Sequence, residues 1–264
     1  MVPPLAQVLE SATSPDEVAA AARLMRVQAD AGDADARFAL ALILFEGHVG
    51  RREVIEGLRW LRLAAEQGHA EAVTTLARIS ADPREQFAIG HALVQGMGAP
   101  ADPTAGLAWL ARAADAGHPA AQQLLGLCLY LGTGTAADPV QGLKWLRAAA
   151  EQGDVDAQST LAAACMTGTG MARDAVEGVR WLTLAAARGN VSAQFALARA
   201  LRDGDGVARN GPEAARRLQD LVDKGHVGAT EALGQMLMTG DGIPQDAQRG
   251  LALVVRATRD RGAP

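Results

Sequence analysis

A chain of 264 residues with a net charge of −5 can hold one large domain or two small ones, and its acidic balance argues against a general nucleic-acid binder, which carries a basic face. No apolar run reaches the ~18 residues of a membrane-spanning helix, and two cysteines do not make a disulfide framework. The composition is 49% hydrophobic but only 3% aromatic, which suits a core built from Ala and Leu, thin in cross-section. Lys144 and Lys224 are the only lysines among 25 basic residues, a bias that fits a GC-rich coding sequence better than a set of carboxylate partners for arginine. Met1 to Leu5 lack the basic segment and apolar run of a signal peptide, so the expected location is cytoplasmic.

In chain order, residues 1–13 leave a short helix and an unstructured lead equally open. Ser14, Pro15 and Glu17 then form a capping box with Pro at the first helical position, and the helix runs to Gly32. From there a landmark recurs: a Gly closing an Ala-rich helix at Gly32, Gly68, Gly117, Gly153, Gly189, Gly225 and Gly262, spaced 36, 49, 36, 36, 36 and 37. Trp60, Trp109, Trp145 and Trp181 each precede the closing Gly by eight residues; Arg217 and Leu253 hold that place in the last two repeats. Self-similarity at this period signals a helical repeat.

Within the third repeat, residues 121–130 read as a first helix ended by Gly132-Thr133-Gly134. Asp138-Pro139 opens a second helix that runs through Trp145 to Gln152. Asp suits the N-cap, Pro the first turn, and Gly the left-handed position after a helix. The same opening recurs at Asp102-Pro103, Asp174, Asn210 and Asp246, and no segment reads as strand. The second repeat carries 13 surplus residues, 49 less 36, between Gly68 and Phe87. Residues 72–77 imitate a first helix, Asp82-Pro83 opens another, and residues 85–90 imitate it again. This predicts an extra helix at about 70–80, with a single helix kinked at Pro as the alternative.

Counting each first helix from its opening Ala, positions 1, 4, 5, 8 and 9 form one apolar stripe; in the third repeat these are Ala121, Leu124, Leu125, Cys128 and Leu129. Position 6 is always small (Ala41, Gly90, Gly126, Ala162, Ala198, Gly234). The second helix places Gly57, Gly106, Gly142, Gly178 or Gly250 three residues before its Trp position, which predicts close crossings. The repeated Trp is expected in the core. The Phe residues and Tyr130 sit at positions 3 and 10 of first helices. By the 3.6-residue period, positions 3, 7 and 10 fall together, roughly opposite the core stripe. They are either a binding surface or filling between neighbouring first helices.

The motifs that could carry chemistry have simpler readings. The Gly-x-Gly loops follow no strand and precede no Lys-Ser/Thr pair, so they are helix ends rather than phosphate loops. His69, His118 and His226 occupy equivalent places in separate repeats, too far apart to share a metal ion at bond lengths of ~2 Å. Cys128 and Cys165 read as small buried hydrophobes with no His placed to activate them. Carboxylates fall at caps and exposed turns. No cofactor and no catalytic residue are expected.

The combination A-x-x-x-L-G, then G-x-G, then W-L-x-x-A-A-x-x-G resembles the Sel-one-like repeat family, a relative of the tetratricopeptide repeats. Residues 117–154 match best, and the resemblance covers residues 32–262. The tyrosine usual late in the first helix is mostly Leu here (Leu44, Leu93, Leu129), and the second repeat is overlong. The resemblance implies an all-α, right-handed α/α superhelical solenoid. Residues 1–31 form its capping region, and the repeats lie at about 32–67, 68–116, 117–152, 153–188, 189–224 and 225–262. First helices of such solenoids line the concave surface, which makes Phe38, Leu42, Phe45, Phe87, His91, Tyr130, Met166, Arg199 and Arg202 the expected groove for a partner peptide or helix. The implied role is a non-catalytic bacterial adaptor or scaffold, itself a monomer, that binds protein and neither nucleic acid nor membrane. A small-molecule-binding or hydrolase-like enzyme of the same family and a self-assembling structural protein are the alternatives. The cysteine-rich secreted pattern of the former is absent, and the polar last helix disfavours the latter.

Overall fold

The computed structural model describes residues 15–46, 53–97 and 100–261. Among these there are fourteen helices and no strand: α1 (Pro15–Asp30), α2 (Ala34–Glu46), α3 (Val54–Glu66), α4 (Ala70–Ala81), α5 (Pro83–Gln95), α6 (Pro103–Asp115), α7 (Pro119–Leu131), α8 (Pro139–Glu151), α9 (Val155–Thr167), α10 (Ala175–Ala187), α11 (Val191–Asp203), α12 (Gly211–Asp223), α13 (Val227–Thr239) and α14 (Ala247–Arg261). Two compact units form, residues 1–137 and 138–264. Unit 1 holds α1–α7 and unit 2 holds α8–α14. Residues 1–13, the cap at Ser14 and the closing Gly262 lie outside the described residues.

Each junction between repeats is made without a loop. At the end of α3, the Gly68 N–H donates to the Ala65 carbonyl and the His69 N–H to the Ala64 carbonyl, at 2.9 and 3.1 Å. Gly68 has φ +84°, the left-handed conformation that closes a helix in this way. His69 is at once the N-cap of α4, its Nδ1 accepting from the Ala72 N–H at 3.1 Å. One residue therefore ends one helix and starts the next. The cap is Asp33 before α2, His118 before α7, Asp154 before α9, Asn190 before α11 and His226 before α13. Asp102, Asp138, Asp174, Asn210 and Asp246 cap the second helices as their sequence positions predict.

A second link crosses these junctions. The residue at position 2 of the first helix turns back to the carbonyl eight residues earlier, in the last turn of the preceding helix. Arg37 donates to Ala29, Gln122 to Ala114, Gln158 to Ala150 and Gln194 to Ala186, at 2.9–3.2 Å. Helix ends leave carbonyls without partners, and these side chains satisfy one at four of the six junctions. Gln122 and Gln158 are buried as a result.

The surplus of the second repeat is α4, a separate helix and not a kink. Asp82 ends α4 and caps α5 with Oδ1 on the Arg84 N–H at 2.8 Å. Helix α4 packs on α3 as a first helix would, but the partner of α6 is α5. Only Ala72 and Ile79 of α4 are fully buried.

The two helices of a repeat cross at the small residues. A Cβ added to Gly90 would stand 3.0 Å from the Gly106 carbonyl oxygen; one added to Gly106 would stand 2.9 Å from that of Gly90. Gly234 and Gly250 face each other in the same way, and Gly57 meets the Ala41 carbonyl. Position 10 covers the same spot: Phe45 lies over Gly57, Val94 over Gly106, Met166 over Gly178 and Met238 over Gly250. Position 10 is one helical turn beyond position 6, so it shares the crossing face.

Gly106→Ala drives a methyl into the α5–α6 crossing. The expected result is a loss of about 1–3 kcal/mol in urea unfolding, the cost of overpacking, despite the better helix propensity of Ala. An unchanged midpoint would show that the crossing has slack.

Candidate partner-binding face

The position-10 geometry divides the expected stripe. Phe45 is 8% exposed and belongs to the core of unit 1. Met166 is half-buried against the core of unit 2. Both serve the helix crossing. Tyr130 is half-buried in unit 1.

Position 3 is also occupied structurally. The Phe38 ring lies 4.7 Å from the ring of His69, Phe87 lies 4.9 Å from His118, and Phe195 lies 4.9 Å from His226. Each pair joins a first helix to the cap of the helix that opens the next stretch of the array. Where position 3 is polar (Gln123, Ser159), the following cap is Asp154 or Asn190. The three histidines are thus explained by capping and stacking together. His91 also stacks with Phe87, at 5.6 Å and an interplanar angle of 9°. The signal was present in the sequence as the pairing of Phe at position 3 with His 31 residues on, and it needs the junction geometry to be read.

What remains outward on the first helices is position 7 with the residue one turn on. In unit 1 these are the half-buried Leu42, His91 and Leu127, with Leu131 62% exposed. In unit 2 Ala163, Arg199 and Gln235 are exposed. The two arginines differ. Arg202 lies along Asp203, Nε to Oδ1 at 2.6 Å, while Arg199 makes no ion pair among the described residues. The hydrogen bond to Arg202 holds the Asp203 carboxyl below its ordinary range.

No group of three or more metal-ligating side chains occurs among the described residues. Cys128 and Cys165 are free and buried. Burial, with Glu177 adding to it, pushes the Cys165 thiol up to about 11, which makes it a poor nucleophile.

A family model described as the Sel1 repeat matches residues 34–69, 86–118, 119–154, 155–190, 191–218 and 228–259. The chain belongs to the Sel1 repeat family. The break between the first two matches falls on α4 and the start of α5, the surplus of the second repeat. No curated protein sequence matches the chain. Among solved structures, it is similar to a protective antigen of uropathogenic Escherichia coli displaying an SLR fold, with 28% identity and a TM-score of 0.66. That match covers 92% of this chain and 49% of the antigen, so the chain spans about half the antigen's length. A Sel1 repeat protein from Oxalobacter formigenes shares the fold at 24% identity and a TM-score of 0.64, covering 83% of this chain and 85% of its own. Sel1 repeat proteins generally mediate protein–protein interaction and are generally non-catalytic scaffolds. Among the described residues no helix is long and apolar enough to cross a membrane.

The His caps of this Sel1 chain work only while Nδ1 is unprotonated. Burial lowers the His118 pKa below the ordinary 6.5; the Arg84 charge acts in the same direction and Asp82 opposes it. With the folded value depressed, the unfolded chain binds the proton first as pH falls. The stability that His118 contributes is therefore complete above the ordinary value and is lost as pH falls through the folded one. In urea unfolding between pH 7.5 and 5, His118→Asn, which keeps a cap acceptor, is expected to flatten the pH dependence. An identical slope in the two proteins would remove His118 from the account.

Proposed function

We propose that the chain is a non-catalytic adaptor that binds a partner peptide or helix on the face formed by its first helices. The supporting observation is what those helices leave uncovered. Their crossing positions are spent on the second helices and their position-3 aromatics on the next cap. Leu131 nevertheless stands 62% exposed, and Arg199 carries a charge with no ion-pair partner among the described residues. Large aliphatic and arginine side chains free of internal duties are what an interface uses to gain area and charge complementarity. The family's general role in protein–protein interaction points the same way.

On this reading unit 1 offers Leu42, His91, Leu127 and Leu131, and unit 2, taken by itself, offers Arg199. In unit 1 Phe87 stacks against His91, and in unit 2 the Arg202–Asp203 pair follows Arg199 within about one helical turn. The expected ligand offers an apolar stretch to unit 1 or an acidic group to unit 2.

Leu131→Asp and Arg199→Glu alter only outward side chains and are expected to leave helicity and melting temperature unchanged. Tagged parent and variants, run side by side over native lysate, test the reading. A partner held by the parent and reduced at least tenfold by either variant is the expected outcome. Partners retained equally by both variants would move the binding surface away from the first helices.

A further inference from the structure

The second helices are latched to one another by a recurring set of three positions. One lies five residues after the crossing small residue of a second helix; the others are the Trp position of the next second helix and the residue four before it. Between α1 and α3, Arg26 pairs with Glu56 at 2.7 Å, and Glu56 accepts from Trp60 Nε1 at 3.3 Å. Between α8 and α10, Arg147 pairs with Glu177, which accepts from Trp181 Nε1 at 3.2 Å. Between α3 and α6, the Arg62 guanidinium lies 5.9 Å from the Trp109 ring centre. Between α12 and α14, Arg249 donates to Gln219 at 2.6 Å.

The junction between α10 and α12 departs from this. Thr183 stands where the latching arginine belongs, and its hydroxyl bonds the Val179 carbonyl of its own helix. Arg217 stands where the tryptophan belongs. Glu213, in the place of Glu56 and Glu177, is held by Arg216 and Arg217 of its own helix at 2.8 and 2.7 Å. Among the described residues no side-chain hydrogen bond or ion pair joins α10 to α12 here, and a cleft of about 240 Å³ opens beside Thr183 and Arg217. Ala186, Ala187 and Leu197 line it, together with the charged Arg216, Arg217, Asp220 and Lys224. Counting Glu213, three cations meet two carboxylates, and Lys224 makes no ion pair among the described residues.

We propose that this cleft binds a small aromatic carboxylate. The ring lies where four other repeats place an indole, against the guanidinium of Arg217, and the carboxylate lies toward Lys224. A guanidinium beside an aromatic face is favourable, and this chain already uses that contact at Trp109 with both Arg62 and Arg112. The size argues for one or two fused rings, since larger ligands occupy pockets of roughly 300–1,000 Å³. The surplus cation argues for the acid over the neutral ring.

The probe is indole-3-acetate, titrated into the full chain by calorimetry, with indole and acetate as comparators. The expected result is one saturable site with Kd at or below about 1 mM and at least tenfold weaker binding of either comparator. Arg217→Trp restores the residue of four other repeats and fills the cleft. Thr183→Arg restores the latch from the opposite wall. Each is expected to weaken binding at least tenfold, and Lys224→Gln, at an exposed side chain, decides the matter if either fails to fold. No saturable binding by the parent, or undiminished binding by the folded variants, overturns the proposal. Indole binding as tightly as the acid overturns its charge component.

Discussion

The structure depends on a fused junction in which the residue that closes one helix is also the N-cap of the next. A left-handed Gly turns the chain, the following N–H returns to the helix just finished, and the side chain of that same residue accepts from the helix just begun. With no loop between them, the two helices have little freedom in their relative angle. At four of the six junctions a turned-back Gln or Arg at position 2 adds a second tie. A helical repeat has no single core to hold it, since each unit buries its apolar face only against neighbours. Rigid junctions let Ala and Gly do that work, because small side chains gain contact only where backbones approach closely.

The order of the fold follows from this. Crossings between first and second helices are made by small residues facing each other, with a larger side chain at position 10 covering the contact. Junctions are then reinforced on two sides. Phe–His pairs tie three of the first helices to the cap that follows, and Arg–Glu–Trp latches tie second helices to one another. Side chains that these duties do not use form the outward surface, and function is sought among them. The cleft beside Arg217 is made visible by the repetition, since four other repeats place a tryptophan where Arg217 stands.

Much of this was legible in the sequence. The closing glycines, the Asp and Asn caps, the small-residue crossings and the extra helix at 70–81 are local or periodic features, and Ser, Asp, Pro and Gly have strong positional meaning at helix ends. The face to which Phe45 and Met166 belong was not legible from a helical wheel. A wheel treats the angle alone, whereas a residue one turn beyond a close crossing is drawn over it whatever its nominal angle. The pairing of Phe38, Phe87 and Phe195 with the histidine caps was also hidden. It joins residues of successive repeats, and the caps look like ordinary turn residues until the junction is built. The turned-back glutamines sit beside the apolar stripe as a recurring polar position at 122, 158 and 194, a signal that asks which backbone group needs them.

The measurement that bears most directly on the fused junction is the stability of Gly189→Ala beside Gly189→Asn. Gly189 has φ +88°, and a Cβ there would meet nothing within 4 Å, so packing plays no part in the comparison. If the left-handed turn sets the junction, Gly189→Ala lowers the unfolding free energy by about 1–2 kcal/mol and Gly189→Asn by less, because Asn tolerates this conformation better. A neutral or stabilising Gly189→Ala, as helix propensity alone would give, would contradict the account.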